Sequence, residues 1–373
     1  MVKLKTFLII CMMSIAINAF AAIPTRGVVY DVGLNYGGNT LSLIDFDTLR
    51  VDYDMNVIKN ILRCNTVRIE GESLRRLSEA ARIAGRYGLK ILFNPWKLEV
   101  DRNATIEYMS QAAVTAEKLR NEGIDLVFVA GCEYSLFNKG ASPGDTFEKR
   151  FNWLVSLGEN PAEALSELND ANKKLNDILK DVSTAIRKRY KGPLTYSSGT
   201  WETVDWSLFD IVGVDYYRRG ESDDDYLAGI QRYHIVSKPL YVMEFGCCTY
   251  KGAAARGGEG FAIFQGKDSS GNPIYEGGVV PERSESEQAD YVADVLTLLD
   301  KGGVDGACVF VFSYPIYPYS TDGIDMDMIS YSLVKSYPKT SSHWNQIPAW
   351  TPKELFYRLG RIYMEMENEN VEK

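Results

Sequence analysis

The sequence predicts a (β/α)8 barrel, an α/β fold of one domain with long loops after its fourth, seventh and eighth strands. Three observations point there. Eight short apolar runs alternate with amphipathic stretches of helical period, a pattern that implies parallel strands joined by right-handed crossovers. Removing an N-terminal leader from the 373 residues leaves about 350, a usual length for one undivided barrel. Two of the runs, Ile124–Phe137 (IDLVFVAGCEYSLF) and Leu240–Tyr250 (LYVMEFGCCTY), deliver a glutamate as the apolar pattern ends: Glu133 and Glu244, 111 residues apart. An open doubly wound sheet is the competing arrangement. The turn after its first strand would carry a glycine-rich phosphate motif, and VGLNYGG lacks the G-x-G-x-x-G spacing.

Residues 1–21 read as a secretory signal: Lys3 and Lys5, the apolar run Phe7–Ile17, then Ala19-Phe20-Ala21 with cleavage after Ala21. The run is too short to span a bilayer comfortably, so an exported protein is expected, secreted or periplasmic, with no membrane insertion after cleavage. The formal net charge is −9, and −11 without the two leader lysines. An acidic chain with no basic tract is a poor partner for nucleic acid or anionic membranes. Five cysteines remain after cleavage, an odd number without regular spacing, which argues against a disulfide scaffold.

The first strand is placed at Arg26–Tyr36 and the second at Asn65–Ile69, with Arg68 and Glu70 at its end. Ser73 caps a helix whose apolar face holds Leu74, Leu77, Ala81 and Ala84, and Gly88 stops it. Strand three, Leu89–Phe93, runs into Asn94-Pro95-Trp96, and a helix follows over roughly 104–121. Strand four is Asp125–Gly131. Asn160-Pro161 opens the longest helix, with Leu168, Leu175, Leu179, Val182 and Ile186 along one stripe. Strand five, Leu194–Ser197, leads to Trp201; strand six is Ile211–Tyr217; a helix near 223–236 leads to strand seven. Ser284 and Glu287 form a capping box for the helix to Lys301. Strand eight is Ala307–Ser313, and a helix over 352–367 finishes the chain.

In such a barrel, reacting groups sit at the C-terminal strand ends. Those ends are Asn35, Arg68, Glu70, Asn94, Trp96, Glu133, Trp201, Tyr216, Glu244 and Tyr314. Strands four and seven lie nearly opposite, so Glu133 and Glu244 face one another. Two carboxyl groups across a cleft suit glycoside hydrolysis, one as proton donor and one as nucleophile or base. Arg68 is placed to keep Glu244 ionised, and the Tyr216 phenol to hold its rotamer. Asn35 and Asn94 are candidate hydroxyl binders, and Trp96 and Trp201 candidate stacking surfaces. Tyr250, Phe264, Tyr275, Tyr317, Tyr319 and Trp344 are further candidate platforms. Cys132, Cys247 and Cys248 invite a zinc reading, but no C-x-x-C is present and the histidines number 2. No metal and no cofactor are expected.

These residues resemble the clan of retaining (β/α)8 glycoside hydrolases that contains many cellulases, β-mannanases and β-galactosidases. The resemblance implies Glu133 as acid/base, Glu244 as nucleophile, Arg68 as the strand-two arginine and Tyr216, or less securely Tyr217, as the strand-six tyrosine. It implies an oligo- or polysaccharide substrate. The chain departs from the clan at Cys132, where an asparagine that contacts the sugar 2-hydroxyl is usual, and after strand eight, where Tyr314 or Phe312 replaces a tryptophan. A non-catalytic glycan-binding barrel is the alternative that the Cys132 departure raises.

Overall fold

Strands buried on both faces carry near-continuous apolar sequence, and eight such runs here hydrogen-bond in parallel into a closed ring: β1 (Thr25–Asp31), β2 (Thr66–Gly71), β3 (Lys90–Pro95), β4 (Leu126–Cys132), β5 (Leu194–Gly199), β6 (Val212–Asp215), β7 (Leu240–Phe245) and β8 (Gly306–Val309). Each strand pairs with its sequence neighbours, and β8 closes on β1 through Thr25 opposite Gly306. The computed structural model describes residues 23–36, 40–157, 161–235, 237–269, 272–321 and 325–371. The expected leader, residues 1–21, lies outside them. Among the described residues, no helix is long and apolar enough to cross a membrane.

Alternation along each strand divides two apolar layers. Val29, Leu92, Val127, Val129, Ile211, Tyr241, Met243 and Cys308 fill the barrel interior. Val28, Val67, Ile69, Ile91, Phe93, Phe128, Val212, Val214 and Val242 face the surrounding helices. Those helices include α1 (Thr48–Asn60), α2 (Leu74–Arg86) and α3 (Arg102–Asn121). On β2 and β3 the same alternation turns Arg68, Glu70 and Asn94 inward.

The helices start where their caps say they should. Ser73 accepts from the Arg76 amide, and Ser284 from the Glu287 amide. After β4 come α4 (Tyr134–Phe137), α5 (Phe147–Ser156) and the long α6 (Pro161–Arg187). α7 (Asp223–Gln231) and α8 (Glu285–Lys301) follow β6 and β7, and α9 (Glu354–Val371) covers the closing seam. There Tyr363 donates to the Gly27 carbonyl at 3.1 Å, while Arg63 pairs with Glu367 and Arg358 with Asp290.

Three strands end earlier than the apolar runs suggest. β1 stops at Asp31, not Tyr36; β6 stops at Asp215, not Tyr217; β8 stops at Val309, not Ser313. Isolated bonds to the neighbouring strands continue past these ends, from the Val32 amide to Glu70, Tyr216 to Glu244, Phe310 to Phe245 and Phe312 to Val29, with some of the extra side chains in the outer core and others at the barrel mouth.

The loops over that mouth are tied by a buried ion pair. Lys353, fully buried ahead of α9, donates to Asp327 at 2.9 Å and to Thr249 Oγ1 at 3.0 Å; Arg283 reaches the same Asp327 oxygen at 2.8 Å. Removing one partner of a buried pair strands the other charge. Lys353→Met is therefore expected to lower the unfolding free energy by about 3 kcal/mol, read as the midpoint shift in urea denaturation.

Candidate functional site

Arg68 is the centre of the barrel floor. Its side chain is fully buried, its Nε donates to Asn94 Oδ1 at 2.8 Å, and its Nη1 donates to Glu244 Oε1 at 2.8 Å and to the Met243 carbonyl at 3.0 Å. Glu70 lies 3.4 Å and Asp215 3.8 Å from the same guanidinium. These carboxyls raise the guanidinium's proton affinity against the cost of its burial.

Glu244 ends β7, where the β6–β7 register shifts between Val214 and Asp215 so that Asp215 pairs with Glu244. Its Oε1 takes the Arg68 bond, and its Oε2 accepts from the Tyr217 hydroxyl at 3.0 Å. Each of its two oxygens thus accepts from a donor, one of them a cation.

Glu133 arrives by a sharper device. β4 shifts register against β5 between Val129 and Cys132, Gly131 has φ +97°, and Glu133 sits in the left-handed region at φ 43°, ψ 49°. That conformation costs a non-glycine residue about 1 kcal/mol or more and persists only where the surroundings enforce it. Here they do. The Glu133 amide donates to the Ser197 carbonyl at 2.9 Å. The Tyr134 amide donates to the Tyr196 hydroxyl, and the Ser135 amide and hydroxyl both donate to buried Glu202. A side chain at Gly131 would lie 2.3 Å from the Tyr134 ring.

Several acids around this floor are held toward their neutral form. Burial pushes Glu133 well above the usual carboxyl range, and the nearby Asp215 and Glu244 push it further. Asp215 is raised by burial and by Glu244, against the bonds it accepts from Ser197 (2.6 Å) and Cys132 (3.4 Å). Glu70 is raised by burial, Asp31 at the β1 end to about 6 and Glu202 to about 7 by the same cause.

Over this floor opens a cavity of about 910 Å³. Of the residues expected there, Glu133, Glu244, Cys132, Trp96, Trp201 and Tyr314 line it, and Arg68 and Asn94 lie beneath, joined to each other. Trp201 also braces the β4 turn by donating to Ser135 Oγ at 2.9 Å.

Two expected site residues are corrected. Tyr216 does not reach Glu244. Because Asp215 faces inward, alternation turns the next side chain outward: the Tyr216 hydroxyl donates to the Tyr226 carbonyl at 3.2 Å and its ring packs on Tyr226. Tyr217 takes the position instead. Asn35 lies past the end of β1 in a bridge with Leu41 and does not line the cavity; its neighbour Tyr36 does, accepting from the Tyr314 hydroxyl at 2.9 Å. Phe312 packs into the outer core against Trp350, and the aromatic that β8 presents to the cavity is Phe310. Of the six further platforms, Tyr317 lines the cavity and the other five do not.

Asp215 escaped the sequence reading altogether. Its signal is a lone acid in IVGVDYY, on the inward side of a strand whose Val212 and Val214 face outward.

Cys132, Asp215 and Glu244 bring one sulfur and two oxygens within 4.8 Å of one another, a donor set of metal-binding type. The Arg68 guanidinium already supplies the cation there, 2.8 Å from Glu244 and 3.8 Å from Asp215, so the group does not fit a metal. Cys247 and Cys248 do not join Cys132: their thiols donate to the carbonyls of Cys248 and Ile329.

No family model and no curated protein matches the chain. Solved structures do. The β-mannanase AaManA of Alicyclobacillus acidocaldarius (family GH113), in complex with ManMIm, is 15% identical over 93% of this chain and 99% of its own, with a TM-score of 0.55. A GH113 β-1,4-mannanase is 16% identical over 91% and 99%, also at 0.55. β-Glucosidase 1317 is 12% identical over 91% and 98%, at 0.51. At these identities the likeness shows the fold: this chain is a barrel of the kind on which those glycoside hydrolases are built.

Cys64, Cys132, Cys247, Cys248 and Cys308 are all buried free thiols, and burial raises the thiol of each. Native protein freed of residues 1–21 should give no reaction with DTNB at pH 8, and all five thiols should react after denaturation. Rapid reaction in the native state would contradict the placement of Cys132 on a closed floor.

Proposed function

We propose that the protein is an exported retaining β-glycoside hydrolase acting on a glycan through Glu133 and Glu244. One observation carries the reading. Two glutamates from opposite sides of the barrel enter one cavity, and they differ: Glu244 is gripped by Arg68 and Tyr217, while Glu133 is held toward its protonated form. That split matches the roles a retaining mechanism needs, a charged nucleophile and a neutral acid. The leader motif at residues 1–21 supports export.

In the first step a Glu244 oxygen bonds to the anomeric carbon as its bond to the leaving oxygen breaks, and Glu133 gives that oxygen its proton. A glycosyl ester on Glu244 results. In the second step Glu133, now a carboxylate, takes a proton from water; the water oxygen bonds to the anomeric carbon, and Glu244 departs as a carboxylate. Arg68 and Tyr217 hold the oxygens of Glu244 through both steps. Cys132 stands where the resembled clan carries asparagine, with Asp215 accepting from its thiol at 3.4 Å, so the −1 sugar is expected to differ at its 2-position or its ring form. Tyr36, Trp96, Trp201, Phe310 and Tyr314 offer flat faces for sugar rings.

A second reading, glycan binding without hydrolysis, is favoured by Cys132 alone. Glu244→Ala and Glu133→Ala decide between them against a panel of aryl glycosides. The hydrolase reading expects each to lose about 10³-fold or more in kcat, with Tyr217→Phe losing about tenfold or more and Tyr216→Phe near wild type. Undiminished turnover in either glutamate variant removes the assignment. Calorimetric glycan binding with no reducing sugar released establishes the second reading.

The protonation of Glu133 gives a pH prediction. Burial, with Asp215 and Glu244 beside it, raises its pKa well above the usual carboxyl range, so the alkaline limb of kcat/KM should lie above that range, with kcat/KM falling as pH rises through the raised value. The alkaline limb should vanish in Glu133→Gln.

A further inference from the structure

α5 carries its apolar side chains at Phe147, Phe151, Leu154 and Val155, spaced i, i+4, i+7 and i+8, which places them on one face of the helix. Such a stripe ordinarily packs on the protein core. Here all four line the catalytic cavity, and Val155 remains 57 % exposed. The face is not loosely placed. Arg150 is fully buried and binds the carbonyls of Leu136, Gly144 and Phe137 and the carboxylate of Glu99. Trp153 donates to Glu167 on α6 at 2.7 Å.

The stripe continues inward as a ladder of rings. Phe151 stacks on Phe147 at 5.9 Å, Phe147 on Phe137 at 5.3 Å, and Phe137 meets Trp96 edge-on at 4.8 Å. Phe137 lies four residues after Glu133, in the turn that delivers it. The wall therefore stands on the acid's side of the cavity, the side from which the leaving oxygen takes its proton. Glu99 is the carboxylate on this side, and Arg150 occupies it at 2.6 Å.

We propose that this wall is the leaving-group subsite and that it takes an apolar aglycone, an alkyl or aryl group, in place of the next sugar of a chain. The substrate class is then a β-glycoside of a lipophilic alcohol or phenol. The proposal rests on the hydrolase reading and narrows its substrate. A second sugar would press hydroxyls against Phe147, Phe151, Leu154 and Val155, whose side chains offer no hydrogen-bond partner. A hydrocarbon group would bury the exposed face of α5 with no such loss.

The test compares methyl, n-butyl and n-octyl β-glycosides with the β-linked disaccharide, all of the glycone whose 4-nitrophenyl glycoside the full chain turns over best. The proposal expects kcat/KM to rise about tenfold or more from methyl to octyl, and octyl to exceed the disaccharide. It expects the octyl-to-methyl ratio to fall about tenfold in the Phe151→Ser/Leu154→Ser double variant and to return in Phe151→Leu/Leu154→Met, which keeps the face apolar. A preference for the disaccharide, or a ratio indifferent to both variants, overturns it. If no glycoside is turned over, the hydrolase reading fails, and calorimetry with n-octyl against methyl β-glucoside tests the wall alone. Tighter octyl binding that the serine variant abolishes supports an apolar-aglycone subsite; equal binding of the two overturns it.

Discussion

One guanidinium organises the floor of this barrel. Arg68 is sealed from solvent with carboxyl groups at 2.8, 3.4 and 3.8 Å. A buried ion without a partner costs several kcal/mol, so the cation and the acid closest to it stabilise one another, while burial pushes the acids around them toward neutrality. Glu244 holds the shortest contact together with the Tyr217 phenol. Glu70, Asp215 and Glu133, further from the charge or screened from it, are pushed toward neutrality by burial and by Glu244 itself. In the proposed mechanism, the division of labour between two glutamates follows from where one arginine points.

The second constraint is mechanical. A left-handed residue at the end of a strand relaxes unless its neighbours forbid it. Around Glu133 the restraint comes from Glu202, which collects the Ser135 amide and hydroxyl, the Tyr196 hydroxyl and the Gly199 amide in one buried cluster. The same turn runs on into Phe137 and the apolar face of α5. The acid and the wall beside it are thus one continuous piece of backbone.

Much of this was legible in the chain. The eight apolar runs and intervening helices specified the barrel because parallel strands covered on both sides leave that imprint. Arg68, Glu70 and Asn94 were legible because β2 and β3 alternate without interruption. Errors gathered where alternation breaks. β6 is the exception: alternation, with Val212 and Val214 outward, itself puts Asp215 and Tyr217 inward and Tyr216 outward, and was not followed to the end of the run. The early ends of β1 and β8 exchanged Asn35 for Tyr36 and brought Phe310, not Phe312, to the cavity. A bulge leaves no mark on hydrophobic periodicity, and the residues it redirects are those that face the ligand. The apolar stripe of α5 was missed for another reason: the stretch after the fourth strand reads as a long loop, yet it folds as the helix Phe147–Ser156, and amphipathic spacing alone does not say whether core or cavity receives its face.

Trapping the covalent intermediate tests the central claim most directly. A 2-deoxy-2-fluoroglycoside of the glycone that is turned over, followed by peptide mass spectrometry, reports which carboxylate attacks. The account predicts one fluoroglycosyl group per chain, on the peptide carrying Glu244. A label on Glu133 or on Asp215, with Glu244 unmodified, would contradict it.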